Sequence, residues 1–123
     1  MLEPQIIELD DARGWLGLDV FDRDGERVGK LSEIFLSSTT GRPEFALVKT
    51  GLFGLRSSFV PLAGAALEDG VLVVDFYKPL IRDAPAMPKG AEEISGDEET
   101  EVYRHYGLTQ PAGESPRLLR WEH

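Results

Sequence analysis

The sequence predicts an all-β (mainly β) domain: a small, strongly coiled antiparallel β-barrel of about six strands with one short C-terminal helix. Three observations carry this expectation. Gly17 to Leu36 reads as a hairpin that turns at Asp22-Arg23-Asp24-Gly25. Short strand-like runs, each bounded by Gly, Pro or Asp, follow as far as Phe76. A single stretch, Gly96 to Tyr106, carries helix signals at both of its ends.

Met1 to Arg13 is a leader in which Ile6, Ile7 and Leu9 would cover a barrel end or form a short edge strand. In the hairpin, Leu18, Val20 and Phe21 make the first apolar run. Asp bonds its own backbone and Gly accepts positive φ, so residues 22–25 reverse the chain. The return strand runs from Arg27 to Leu36 with broken alternation: Val28, Ile34 and Leu36 share one face, Leu31 and Phe35 the other. Gly29 inside that strand marks a bulge or a sharp coil.

Ser37 to Pro43 is a second turn, and Glu44 to Thr50 a second strand-like run. Ser57 to Leu62 is a short strand in which Pro61 fits an edge or a strand end. Asp69-Gly70 is a tight-turn signal ahead of Val71 to Phe76, the most β-branched run in the chain. Lys78 to Asp83 makes about one helical turn. Ser95 with Glu98 forms a capping box, acids cluster in the first helical turn, and Gly107 suits the residue after the helix. The organisation expected is a leader at 1–13, a barrel domain at 14–85, a linker and acidic helix at 86–109, and a tail at 110–123.

The chain has 123 residues, enough for one core without staples. Cysteine is absent, which removes disulfides, thiolate catalysis and Cys-based metal sites and suits a reducing cytoplasm. The formal charge is −9, from 22 acids against 13 bases. That balance repels phosphate backbones and anionic lipid surfaces, so neither bulk nucleic-acid binding nor membrane association is expected. No apolar run reaches the roughly 18 residues of a spanning helix, and the leader is too polar for a signal peptide. The expected location is the cytoplasm.

Candidate catalytic groups are few. His105 and His123 alone titrate near neutrality, and His105 is explained by its place in the last helical turn. Asp22, Asp24 and Glu26 resemble the opening of a calcium loop but lack its later oxygens and closing acid. No catalytic residue, cofactor or metal is therefore expected, and the chain is read as a non-enzyme. Leu52, Phe53 and Leu55, bracketed by Gly51 and Gly54, either plug a barrel end or form an exposed apolar contact patch. Arg117, Leu118, Leu119, Arg120 and Trp121 combine favoured anchor residues near the chain end. They would dock on the chain's own barrel or on a second copy across a two-fold axis.

The order of these motifs from Trp15 to Pro85 resembles the PRC-barrel domain. The matching features are the Val20–Gly25 turn, Val28-Gly29-Lys30, Thr40-Gly41-Arg42 and Val60-Pro61, with Tyr103 to Leu108 similar to the tail of free-standing bacterial members. That family is named for the cytoplasmic part of the photosynthetic reaction centre H subunit and includes the C-terminal domain of a ribosome maturation factor. The resemblance implies a small barrel, no common catalytic residue and a protein partner. The function expected is a self-associating adaptor module that binds a protein partner. The alternatives are a ribosome-maturation-type accessory factor or a reaction-centre-like assembly subunit.

Overall fold

Strand β2 (Arg27–Ser37) is the spine of the sheet, and its eleven residues outreach every neighbour. The computed structural model describes residues 12–37, 41–51, 56–85, 93–94, 96–108 and 118–121. Along one edge β2 pairs antiparallel with β3 (Pro43–Thr50). Its other edge is shared by two segments. β1 (Asp19–Phe21) pairs with its first half, and β8 (Leu118–Arg120) pairs with its last three residues. Trp121 continues that second ladder, its N–H donating to Ile34 O at 2.7 Å. Arg13 lies over the Trp121 ring, 5.8 Å from its centroid, so the leader and the tail meet where β1 gives way to β8.

Beyond these, β4 (Arg56–Pro61) pairs with β3, and β5 (Ala66–Glu68) forms a hairpin with β6 (Val71–Val73) through Asp69-Gly70. Both turn residues have positive φ, 49° and 82°, as a tight two-residue hairpin turn requires. Helix α1 (Lys78–Arg82) follows, then β7 (Glu93–Ile94), which pairs with β8, and helix α2 (Gly96–His105). The main path of the sheet is β4-β3-β2-β1-β6-β5.

Two features of this sheet depart from the expectation. The β1–β6 pair is parallel, with Val20 opposite Leu72 and Phe21 opposite Val73, so the sheet is mixed and not purely antiparallel. Apolar runs identify strands but carry no direction, and the β5–β6 hairpin enters on the side of β1 that β2 leaves open. The other departure is in the ladder, which ends at β4 and β5 without joining them among the described residues. Yet β4 and β5 are consecutive in the chain. Five Cα steps from Pro61 to Ala66 reach at most about 18 Å, whereas a flat path would hold these strands about 24 Å apart. The sheet therefore curls.

Bulges explain the broken alternation of β2. Val20 faces Gly29 while Phe21 faces Arg27, leaving Val28 as the extra residue. Further shifts against β3 fall between Leu31 and Glu33 and between Phe35 and Leu36. Each extra residue on β2 reverses which face the following side chains present, so its burial does not follow one simple alternation, and the adjacent Ile34 and Phe35 are both fully buried.

The interior is aromatic. Phe59 packs edge-on against Phe35 at 4.9 Å and Phe45 at 6.0 Å, and Tyr103 of α2 meets Phe45 at 5.2 Å. Val102 and Tyr103 of α2, with Tyr106 just after it, form a buried apolar stripe at helical spacing. The Tyr106 hydroxyl donates to the Phe59 carbonyl, a backbone group on β4, whose ladder neighbour among the described residues is β3. The helix ends as expected. Gly107 has φ 69°, its N–H donates to Arg104 O, and Leu108 N–H donates to Tyr103 O at 2.9 Å, the paired bonds of a Schellman cap. Ser95, the expected N-cap, lies outside the described residues.

Candidate functional site

Asp22 shows how the first hairpin positions more than itself. Its Oδ1 accepts the N–H groups of Asp24 and Glu26, both at 2.9 Å, which shapes the turn. Its Oδ2 accepts the Lys78 N–H at 2.9 Å from 56 residues away. The carboxylate thus ties helix α1 to the first hairpin. Burial pushes the Asp22 carboxyl up, but the amides of Glu26, Lys78, Asp24 and Gly25 outweigh it and hold it below its ordinary value. The other end of α1 is held by His105, whose Nε2–H donates to Leu80 O at 2.6 Å. His105 thereby joins two helices, a role beyond its place in the last turn of α2.

These two ties set α1 over one end of the sheet. Antiparallel pairing brings the start of β2, the end of β3 and the start of β4 to that same end, with Lys30 opposite Lys49 and Thr50 opposite Arg56. Together they line a cavity of about 310 Å³. Its apolar part is Val28 and Ile81, both buried. Its polar part is Arg27, Arg56, Lys78 and Arg82, with Thr50 and the Gly51 backbone beside them. Lys78 is half-buried, and the three arginines are exposed. Arg27 is paired with Asp19 at 3.0 Å. Arg56, Lys78 and Arg82 have no ion pair among the described residues. Among the described residues, no acid lines the cavity.

A second group of ionisable residues lies where α2 meets β3. Glu99 is fully buried, and burial raises the carboxyl of Glu44. Burial, reinforced by the charges of Glu44 and Glu99, pushes the Tyr103 phenol above its ordinary value. Burial alone does the same for Tyr106. Both phenols therefore stay in their neutral forms, and these residues belong to the packing of α2 on the sheet.

Of the contact residues expected from the sequence, Leu52, Phe53, Leu55 and Arg117 lie outside the described residues, as do the side chains of Leu118, Leu119 and Arg120. The backbone of the last three is strand β8, paired with its own chain's β2 and β7. Trp121 is half-buried and packs against the core. Residues 118–121 thus lie against the chain's own sheet. The four cations around the cavity were not singled out from the sequence. Arg27, Arg56 and the Lys78/Arg82 pair sit in three distant segments, and the sole local signal is the i, i+4 spacing of the last two.

The family model of the PRC-barrel domain matches residues 9–81, more than half of the chain. The chain belongs to the PRC-barrel domain family. No curated protein matches the sequence. The PRC-barrel match starts within the leader, where Ala12 is fully buried in the core, and ends inside α1 at Ile81, also fully buried. Among the described residues of this PRC-barrel protein, no helix is long and apolar enough to cross a membrane.

The tie to α1 has a measurable consequence. Asp22→Asn offers one oxygen where three N–H groups use two, and should cost about 2 kcal/mol of stability. Urea unfolding at neutral pH measures this. The depressed Asp22 pKa contributes stability that is present above the ordinary carboxyl value of 3.8 and lost as pH falls through the folded value. The gap between the two proteins should therefore narrow in acid. Equal stability at neutral pH would show that the carboxylate does not clamp the helix.

Proposed function

We propose that this chain is a non-enzymatic, cytoplasmic adaptor of the PRC-barrel type, which binds a protein partner, associates with itself and wraps its sheet into a strongly coiled barrel. The filled interior is the observation that carries this reading. Phe35, Phe45 and Phe59 are each at most 1% exposed, so side chains occupy the space a small-molecule binder would keep open. Work then falls to the surface. The short link between β4 and β5 supports the wrapped barrel, because it holds the two ends of the ladder close. The bond from His105 to a backbone carbonyl supports a structural role for that side chain over an acid–base one.

Self-association has its support at β5, the free end of the ladder. All three of its residues are exposed, Leu67 by 54%, and its outer edge, unpaired among the described residues, offers backbone groups to a second strand. Light scattering from micromolar to high micromolar concentration tests this. The mass should rise from 13.6 kDa toward twice that value for the natural chain, and Leu67→Asp should hold it at the monomer. A natural chain that stays monomeric throughout would overturn the self-association. Affinity recovery from native extract, with Phe53→Asp and Leu67→Asp as controls, then identifies the partner.

A further inference from the structure

We infer that the cavity between α1 and the ends of β2, β3 and β4 is a binding site for a phosphate group, held by Arg56, Lys78 and Arg82 with Arg27 at its side. This stands apart from the adaptor reading and rests on different residues. The charge distribution is the first argument. In a chain with 22 acids and 13 bases, four of the bases converge on one cavity that no acid among the described residues lines. Three of them have no ion pair among the described residues. Like charges gathered this way repel one another, and an anion between them converts that repulsion into attraction.

Chemistry narrows the anion. Guanidinium groups present paired N–H donors that match phosphate oxygens two at a time, while Lys78 adds a point charge. Asp19 engages Arg27 through Nη2 at 3.0 Å and so orients that guanidinium. The Thr50 hydroxyl on the adjoining wall is a further donor. Three uncompensated cations suit a phosphate monoester, which carries about −1.5 to −2 at pH 7, better than a single carboxylate.

Size and surroundings narrow it further. About 310 Å³ is at the small end of ligand cavities, enough for a phosphate and a small attached group. Val28 and Ile81 would meet the apolar part of that group. A long polyanion would run out over a surface whose net charge is −9, so the ligand is a compact phosphate and not a nucleic-acid backbone. The site is also built on firm supports. Two of its cations stand on strand ends, and the other two stand on a helix held by Asp22 and His105.

Amide chemical shifts followed by NMR test the proposal, using inorganic phosphate, inorganic diphosphate, a phosphoserine peptide and succinate as a dicarboxylate control. Either free phosphates or the phosphopeptide should produce saturable shifts centred on residues 27–28, 50–51, 56 and 78–82. Tighter binding of the peptide assigns the phosphate to a modified partner; tighter binding of diphosphate assigns it to a small molecule. Arg56→Gln with Arg82→Gln, both exposed and so compatible with folding, should weaken binding at least about tenfold. Affinity should fall with added salt. No saturable shift with any phosphate compound at high millimolar concentration would overturn the inference. So would binding unchanged in the double variant, or succinate bound as tightly as phosphate.

Discussion

Phe59→Ala is expected to lower the unfolding free energy by about 4 kcal/mol, the upper part of the range for deleting a buried aromatic ring. Phe59 is fully buried on β4 and is the ring shared by two edge-to-face pairs, with Phe35 at 4.9 Å and Phe45 at 6.0 Å. Truncation removes the transfer free energy of the ring, both aromatic contacts and the filler between two strands. The surroundings cannot readily collapse into the gap. β2, β3 and β4 are fixed by their ladders, and Tyr106, just after α2, is held to the carbonyl of the same residue. A domain of this size has about 5–15 kcal/mol in total, so the variant should be close to unfolding at 37 °C. Denaturant unfolding followed by fluorescence reads the change, and Phe59→Leu should recover most of it. A loss under about 2 kcal/mol would mean that the aromatic cluster is loosely packed.

Gly29→Ala is expected to cost about 3 kcal/mol for a different reason, overpacking against backbone. A Cβ at this position would lie 1.9 Å from the Lys49 carbonyl oxygen and 2.9 Å from its carbon. Neither atom belongs to a side chain that can rotate away. Both lie in the β2–β3 ladder, where Lys30 pairs with Lys49. Relief requires the two strands to separate beside the bulge at Val28, and that in turn disturbs Arg27 and Thr50 at the edge of the cavity. Thermal unfolding gives the size of the loss, and amide shifts of β2 and β3 locate it. If the variant matches the natural chain in stability, the close approach of the two strands is wrong.

Much of the strand inventory was legible because local chemistry sets it. Asp22 to Gly25 reverses the chain with a side chain and a glycine that lie next to each other in sequence. Asp69-Gly70 does the same for β5 and β6, and Gly107 ends α2 through bonds spanning a single turn. Such features need no distant partner, so composition and order reveal them. Strand lengths were less legible. Val71 to Phe76 reads as one strand, but its ladder stops at Val73 because β5 and β1 offer no partners past Ala66 and Phe21. Gly29 was recognised as a special position, yet its cause is the neighbouring Lys49 carbonyl, which lies twenty residues along the chain.

By itself the sequence determined a mainly β chain with one capped C-terminal helix and the motif order of a PRC-barrel domain. It also determined the acidity that disfavours long polyanions. Tertiary structure decided what depends on distant pairing: the parallel contact of β1 with β6, the tail strand β8 completing the edge of β2, and the cavity that gathers Arg27, Arg56, Lys78 and Arg82. The physical reason is the reach of each interaction. Turns and caps are closed by bonds within a few residues, so their residues announce them. Strand direction and the convergence of charges arise when segments up to about ninety residues apart share one sheet, and no single segment carries that information.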